Sequence, residues 1–160
     1  MEQAIFAAGC FWGVQYYFDQ VPGVIETTVG YTGGHTEDPT YEEVCSHTTG
    51  HAEAVLIKFD PRIVSFGLLC QHFFRMHDPT QLNRQGPDIG DSYRSAIYYV
   101  TDEQKTIAES ARDAAQPKWS EQIVTAIESA GPFYEAEAYH QKFTERTGRG
   151  MCHVPYEPIT

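Results

Sequence analysis

A short motif bounded by glycines near the N-terminus, Gly9-Cys10-Phe11-Trp12-Gly13, places the strongest constraint on how this chain folds. The apolar run before it, residues 3–8, is typical of a short strand, and residues 14–18 after it indicate the start of a helix. Cys10 is therefore predicted at a strand-to-helix turn, with its sulfur facing the free N–H groups and the positive dipole end of the helix. Those conditions lower the pKa of a thiol and expose a thiolate.

The glycines beside Cys10 argue against a purely structural cysteine. Gly9 and Gly13 let the backbone approach closely, and the aromatic pair after Cys10 supplies an apolar wall beside the sulfur. The alternative is a buried cysteine at the end of a hydrophobic strand, which is the commonest fate of a free cysteine. That alternative does not account for the glycines.

The composition fits one globular domain with no affinity for polyanions. The chain has 160 residues, 41% hydrophobic and 13% aromatic, which supports one substantial core but not two. The 22 acidic residues outnumber the 11 Lys and Arg and give a net charge of −11. This balance argues against binding to nucleic acid and to an anionic membrane surface.

The N-terminus and the cysteines indicate a cytoplasmic protein. The first residues lack the basic stretch and the apolar length of a secretory signal, and no apolar run is long enough to span a bilayer. Four cysteines without a close pair do not suggest the disulfide framework of a secreted domain. We therefore expect a reducing environment, with the cysteines free, metal-bound or redox-active.

Hydrophobic periodicity predicts strands and helices in mixed order. Strands are also predicted over residues 25–31, 52–59, 95–100 and 122–129, and helices over 64–76, 101–116 and 133–143. Two long polar loops, 30–39 and 77–92, interrupt them. We expect residues 1–160 to form a single-domain α+β layered sandwich, a mixed β-sheet with packed helices and long irregular loops, with a flexible C-terminal tail from about 147.

Several further motifs carry a family resemblance. In order, they are Gly9 to Gly13, Gly30-Tyr31-Thr32-Gly33-Gly34, Pro39-Thr40-Tyr41 with Val44-Cys45, Thr49-Gly50-His51-Ala52-Glu53, His77-Asp78-Pro79-Thr80-Gln81, Arg84-Gln85-Gly86 with Asp88 and Gly90, Tyr93-Arg94-Ser95-Ala96, His140-Gln141, and the Gly-rich approach to Cys152. Together they resemble the A-type peptide-methionine sulfoxide reductases over about residues 4–153. The family fold is an α+β sandwich, in agreement with the periodicity.

The resemblance implies a reaction and its nucleophile. The family reduces the S epimer of methionine sulfoxide, free or in oxidised proteins, back to methionine. Cys10 is implied as the nucleophile whose thiolate attacks the sulfoxide sulfur while the oxygen is protonated. Both electrons pass through sulfur, so neither a bound cofactor nor a metal is implied. Thioredoxin or another thiol is expected as the reductant.

Other site residues follow from the same resemblance. Glu53 is implied as the proton donor, a role that needs burial to raise the pKa of its carboxyl. Tyr41 and Tyr93 are implied as hydrogen-bond donors to the sulfoxide oxygen. Phe11 and Trp12 are implied to cradle the S-methyl group of the substrate.

Two later positions complete the implied site. Asp88 is implied in binding and orienting the substrate backbone, although by itself it resembles the first residue of a loop turn. Attack leaves a sulfenic acid on Cys10, and Cys152 is implied to resolve it as a disulfide. Gly148 and Gly150 give the tail the freedom that this step requires.

The remaining cysteines and three departures from the family pattern carry no implied catalytic role. Cys70 lies on the apolar stripe of the 64–76 helix and Cys45 in a motif without a catalytic assignment, so both are expected to be structural. Gln15 stands where the family often has glutamate, Pro87 where asparagine is frequent, and His47 where a small residue is usual.

Three other functions stay open on the residues alone. Cys45, His47 and His51 offer three metal ligands, but without a Cys-x-x-Cys pair or an obvious fourth ligand. A thiol peroxidase would share the chemistry of Cys10 and Cys152, although the aromatic pair and the carboxyl and tyrosine set favour a sulfoxide. An interaction domain would leave the reactive-thiol turn unexplained.

Overall fold

The computed structural model describes residues 1–151 and 154–159. The strands are β1 (Glu2–Ala8), β2 (Val24–Thr32), β3 (Ala52–Phe59), β4 (Arg84–Gln85), β5 (Asp88–Ile89), β6 (Ser95–Tyr99), β7 (Ala126–Ser129) and β8 (Phe133–Glu135). The α-helices are α1 (Phe11–Asp19), α2 (Tyr41–Cys45), α3 (Phe66–Met76), α4 (Asp102–Ala115) and α5 (Phe143–Thr147). Short 3-10 turns cover Asp91–Tyr93, Gln116–Lys118 and Ala138–His140.

The described residues build one six-stranded sheet in the order β7-β6-β1-β3-β2-β8, with β4 and β5 as a separate hairpin. Neighbouring strands in the sheet are antiparallel except β6 and β7, which are parallel and joined through α4. The sheet is therefore mixed, and helices pack on it, so the predicted α+β sandwich is confirmed. No helix in the described ranges is long and apolar enough to cross a bilayer.

Strand β3 lies between β1 and β2 and is covered on both faces. Its residues Val55, Ile57 and Phe59 are fully buried in the main core, whereas Ala52 and Ala54 pack in a smaller apolar cluster. Because side chains alternate along a strand, position 53 shares the face of Val55. The carboxyl at position 53 is thereby directed into the main core.

The predicted strand-to-helix turn at Cys10 is present. Strand β1 ends at Ala8, and Cys10 is the N-cap residue of α1. Between them Gly9 has a φ of +97°, and a Cβ there would lie 2.9 Å from the Gln85 Cβ. Only glycine fits this turn without strain, because the backbone angle and the neighbouring side chain both exclude a larger residue.

The prediction of a helix over 133–143 is wrong. Residues Phe133–Glu135 form β8, which extends the sheet by pairing with Gly30–Thr32 of β2. The pairing depends on Gly30, because a Cβ at that position would collide with the Tyr134 carbonyl oxygen. Lys142 then adopts a left-handed backbone, with φ of 56°, immediately before α5. The predicted strand over 122–129 is also shorter in the structure, where only its last four residues form β7.

Candidate active site

Cys10 is half-buried and lines a cavity of about 560 Å³ beside the first turn of α1. The lining residues are Ala8, Cys10, Trp12, Arg75, Met76, His77, Asp78, Gln81, Gln85, Gly86, Pro87, Asp88, Trp119, Gly150, Met151 and Val154. Three predicted site residues, Cys10, Trp12 and Asp88, are among them. Other predicted residues gather around the carboxyl of Glu53.

Glu53 is a buried carboxyl with one oxygen fixed by the backbone. Its side chain is 1% exposed, and Oε1 accepts a 3.1 Å hydrogen bond from the backbone N–H of Phe11. Oε2 is buried and has no hydrogen-bond partner among the described residues. Burial raises the pKa of Glu53 to about 8; the Phe11 N–H bond opposes this shift and the charge of Asp88 adds to it. The carboxyl can therefore hold a proton at neutral pH.

Tyr41 and Tyr93 lie within electrostatic reach of Glu53. Tyr41 begins α2, and Tyr93 ends the 3-10 turn Asp91–Tyr93. Burial raises the pKa of both phenols, and the nearby charge of Glu53 raises each further. The charge of Cys10 also acts on Tyr93. Both hydroxyls therefore keep their protons at neutral pH and can donate hydrogen bonds.

Glu137 fixes the start of α2. Its Oε2 accepts from the backbone N–H of Tyr41 at 3.0 Å, and its Oε1 accepts from the Tyr31 hydroxyl at 2.8 Å. The Cys45 thiol, one helical turn along α2, also interacts with the Tyr41 hydroxyl and raises the pKa of Tyr41. The sequence analysis assigned no role to Glu137 and treated Cys45 as structural. Glu137 thus holds a predicted site residue in place, and the contact of Cys45 with Tyr41 is compatible with the structural role predicted for Cys45.

His140 is a further site residue that the sequence analysis missed. It is fully buried, and its Nδ1 accepts a 2.9 Å hydrogen bond from the indole N–H of Trp12. Its ring also packs on Tyr41 and Phe11, with centroids 4.3 Å and 5.2 Å away. Burial lowers the pKa of His140, which keeps the ring neutral. The motif His140-Gln141 was noted in the sequence, but nothing local to it indicates contact with Trp12.

The two aromatic residues after Cys10 occupy different environments. Phe11 is fully buried and packs on Tyr31, with ring centroids 5.7 Å apart. Trp12 lines the cavity and stacks on Phe143 at 3.9 Å between centroids. Trp12 is thus an apolar surface facing the cavity, and Phe11 lies beneath it in the core.

Asp88 reaches the cavity on the β4–β5 hairpin, opposite Gln85 in the register. The Gln85 side chain ties this hairpin to Asp78, because its Oε1 accepts from the Asp78 N–H at 2.9 Å and its Nε2 donates to the Asp78 carbonyl at 2.8 Å. Gln85 also contacts the turn at Gly9. The hairpin and the Cys10 turn are therefore packed directly together.

The departures from the family pattern have structural explanations at two of three positions. Gln15 is buried; its Nε2 donates to the Thr27 carbonyl at 3.2 Å, and its Oε1 accepts from the Lys142 N–H at 2.8 Å. A glutamine side chain can make both bonds, because it has one donor and one acceptor, whereas glutamate would need to be protonated to donate to the Thr27 carbonyl. His47 Nδ1 lies 3.4 Å from Asp91 Oδ1. Pro87 lines the cavity, and nothing in the structure explains its choice over asparagine.

The candidate metal ligands are engaged elsewhere. His51 Nδ1 accepts from the Gly34 N–H at 3.0 Å, and His51 Nε2 bonds the Thr36 carbonyl at 2.8 Å. In the described part of the chain, no group of three or more His, Cys, Asp or Glu is arranged to hold a metal ion. Cys70 is fully buried in the core, where burial raises the pKa of its thiol, in keeping with a structural role.

Cys152 lies outside the described residues, and so its predicted role stays a prediction. The described residues on either side of it, Met151 and Val154, both line the cavity that contains Cys10. Beyond them, the Tyr156 ring stacks on His72 with centroids 5.6 Å apart, and Arg75 Nη2 donates to the Glu157 carbonyl at 2.6 Å. The tail therefore returns to α3 after it passes the cavity.

Comparison with known proteins gives one consistent family. The sequence profile of the family described as Peptide methionine sulfoxide reductase matches residues 2–160. The chain is 52% identical over 155 residues to "Peptide methionine sulfoxide reductase MsrA" of Methanothermobacter thermautotrophicus, covering 96% of this chain and 92% of that protein.

Solved structures agree with the sequence comparison. Mxr1 from Saccharomyces cerevisiae in reduced form superposes with a TM-score of 0.91 at 32% identity, covering 98% of this chain and 92% of that one. Methionine sulfoxide reductase A of Corynebacterium diphtheriae superposes with a TM-score of 0.88 at 35% identity, and the match covers 99% of this chain and 81% of that one. Mxr1 in complex with Trx2 gives 0.67 at 23% identity, covering 98% and 90%, and at that identity shows the fold alone.

Proposed function

Since the chain belongs to the peptide methionine sulfoxide reductase family, we propose that it reduces methionine sulfoxide, free and in oxidised proteins, to methionine and thereby repairs oxidative damage. The observation that supports this function most directly is the Glu53 carboxyl. It is buried, its pKa is raised to about 8, and it is bound to the peptide N–H that follows Cys10. A proton source next to a cysteine suits an acceptor that must gain a proton as it is attacked.

In the first step, the Cys10 thiolate attacks the sulfoxide sulfur. Glu53 supplies the proton that neutralises the oxygen, and the Tyr41 and Tyr93 hydroxyls donate hydrogen bonds to that oxygen as its charge develops. The oxygen passes from the substrate to the enzyme, so that the products are methionine and a sulfenic acid on Cys10. Glu53 is left ionised and must regain a proton from solvent before the next turnover.

We expect selectivity for the S epimer because the proposed contacts differ on each side of the sulfoxide sulfur. The proton donors gather around Glu53, Trp12 supplies an apolar surface for the methyl group, and Asp88 holds the substrate backbone. The oxygen, the methyl group and the rest of the substrate chain are the three substituents of the pyramidal sulfur, and three different contacts to them distinguish the two epimers; the family resemblance implies that the S epimer is the one accepted.

In the second step, Cys152 attacks the Cys10 sulfenic acid, water leaves, and a disulfide forms. The described residues on either side of positions 152–153, Met151 and Val154, both line the cavity that contains Cys10, and this supports the assignment. A thioredoxin-type dithiol then reduces the disulfide. Mxr1, a relative at 32% identity, has also been solved in complex with Trx2, which supports this class of reductant.

A single experiment tests the reaction, its stereochemistry and the resolving cysteine. Fully reduced protein receives a small excess of racemic methionine sulfoxide, the remaining epimers are separated on a chiral column, and the protein is analysed by intact mass and disulfide mapping. We expect loss of the S epimer alone and a new Cys10–Cys152 bond. The Cys10→Ser variant is the control and should consume neither epimer.

The same samples separate the proposal from a thiol peroxidase. If both epimers persist and the thiols stay reduced, while hydrogen peroxide is consumed catalytically, the reductase function is wrong. If the S epimer is consumed but the new disulfide joins Cys10 to Cys45 or Cys70, the reductase function stands and the role of Cys152 is wrong.

A further inference from the structure

Met151 is a methionine at the edge of the candidate active site. It lines the same cavity as Cys10 and Trp12, and 56% of it is exposed. A thioether in this position is open to oxidants in solution. It also lies in the cavity where the sulfoxide of an external methionine is proposed to react.

The chain holds this segment against the cavity from the preceding side. Gly150 has a left-handed backbone, with φ of +76°, and a Cβ there would lie 3.1 Å from Trp12 Cε3. The backbone one residue before Met151 is therefore in contact with the indole. Trp12 is the same ring that is proposed to receive the substrate methyl group.

A second anchor lies on the following side. Val154 lines the cavity, and two residues later the Tyr156 ring packs between Tyr17 and His72, at 5.6 Å from each ring centroid. Arg75, which also lines the cavity, donates to the Glu157 carbonyl at 2.6 Å. Described residues before and after Met151 in the sequence, Gly150 and Val154, thus lie at the same cavity as Cys10.

From this geometry we propose that Met151 is an internal substrate: once oxidised to its S-sulfoxide, it is reduced by Cys10 of the same chain. The proposal rests on the proposed reductase function. Hydrogen peroxide converts the thioether to the sulfoxide and is itself reduced to water. The Cys10 thiolate attacks the Met151 sulfoxide sulfur, Glu53 supplies a proton to the oxygen, the oxygen moves to Cys10 as a sulfenic acid, and the thioether is restored. Two equivalents of an added thiol then return Cys10 to the thiol, with release of water and a disulfide.

The tether makes this reaction intramolecular, and therefore fast in dilute protein. Short tethers give effective concentrations in the millimolar range. At about 1 µM protein, reduction within one chain should be on the order of 10³-fold faster than reduction between chains. Repair of the site would then not depend on an intact second copy.

Met1 provides a matched control in the same molecule. It is 75% exposed and precedes the seven residues of β1, which end just before the Cys10 turn. Seven extended residues span about 23 Å, so Met1 cannot reach Cys10 of its own chain. Its sulfoxide can be reduced only by another copy.

The experiment follows both sulfoxides through dilution. The full chain is oxidised with hydrogen peroxide at mildly acidic pH, where thiols are protonated and less reactive. It is then diluted over a hundredfold range of concentration into dithiothreitol at neutral pH. Peptide mass spectrometry with separation of the sulfoxide diastereomers gives the decay of each. We expect the rate constant for loss of the Met151 S-sulfoxide to be independent of protein concentration. The rate constant for loss of the Met1 S-sulfoxide should fall in proportion to the dilution.

Two further samples decide what a negative result means. Oxidised Cys10→Ser protein should retain both diastereomers of Met151 sulfoxide, and free methionine S-sulfoxide is assayed in parallel with wild-type protein. If free sulfoxide is reduced but Met151 sulfoxide persists, or decays with the concentration dependence of Met1, the internal-substrate proposal is overturned and the proposed function stands. If free sulfoxide is not reduced either, both proposals fail.

Discussion

The backbone N–H of Phe11 donates a 3.1 Å hydrogen bond to Oε1 of Glu53, across 42 positions of sequence. The bond joins the first residue of α1 to a central strand, and the residue immediately before it is Cys10. It occupies one carboxyl oxygen and leaves Oε2, which has no partner among the described residues, as the atom to carry a proton. The nucleophile and the proposed acid are therefore held together through one peptide group.

Glu53→Gln should slow the sulfoxide step by about 10²- to 10⁴-fold, the usual contribution of a general acid. The amide oxygen can still accept from the Phe11 N–H, so the fold of the turn is kept while the transferable proton is lost. Single-turnover release of methionine measures this step directly. A variant that retains the wild-type rate near neutral pH would exclude Glu53 as the proton donor.

The wild-type rate should also fall as the pH rises through about 8. The raised pKa means that Glu53 is protonated below that pH and ionised above it, and only the protonated form can supply a proton. Single-turnover rates measured from pH 6 to pH 10 should show this descending limb. In Glu53→Gln the limb should be absent, and its persistence there would assign the limb to another group.

The same carboxyl should make the folded protein less stable as the pH rises from about 4.5 to about 8. Burial raises the pKa of Glu53 from 4.5 to about 8, so in this window the folded state keeps a proton that the unfolded state releases. The free energy of unfolding should then fall by about 1.4 kcal/mol per pH unit relative to Glu53→Gln. Urea unfolding of both proteins under reducing conditions, at pH 5 and pH 8, checks this. If the difference in the free energy of unfolding between wild type and Glu53→Gln were the same at pH 5 and pH 8, the prediction would be wrong.

Tyr41→Phe and Tyr93→Phe should each slow the sulfoxide step by about 10²-fold, and the double variant should be slower than either, because each removes one donor to the developing charge. Tyr99→Phe is a suitable control, since Tyr99 ends β6 and interacts with Lys105 rather than with Glu53. The measurement is single-turnover kinetics with a saturating sulfoxide. Equal rates for Tyr99→Phe and the two site variants would remove the tyrosines from the proposed mechanism.

Cys152→Ser should still release about one methionine per enzyme molecule and then stall when thioredoxin is the reductant. The first step needs no cysteine other than Cys10, whereas recycling needs the disulfide that thioredoxin recognises. Steady-state and single-turnover assays on one preparation separate the two steps. Normal recycling of the variant by thioredoxin would move the resolving role to another thiol.

Local pattern was sufficient to predict some elements. The predicted strand over 52–59 coincides with β3, because the alternation of Val55, Ile57 and Phe59 is local and its buried face is continuous. The helix predicted over 133–143 is wrong because its first residues pair with β2, and the pairing depends on a glycine more than a hundred positions earlier. No local period contains that information.

Some features of the site were also predictable from local sequence, whereas others depend on contacts between distant parts of the chain. The motif around Cys10 indicates the reactive turn through its own residues, and β1, Gly9 and α1 form it. The contact of Trp12 with His140 spans 128 positions, and only the folded chain brings those rings together. The burial that gives Glu53 its raised pKa likewise depends on helices placed over the sheet, which the sequence of β3 does not specify.

The close contact between Gly9 and Gln85 links two positions that are far apart in the chain. A side chain at position 9 would meet the Gln85 Cβ at 2.9 Å and would also have to adopt a φ of +97°. A mutation at position 9 therefore faces two separate barriers, and only glycine at position 85, which has no Cβ, would remove one of them. Over evolutionary time, position 9 should change later than position 85, and a lineage that has lost this glycine should also have rebuilt the hairpin that carries Asp88.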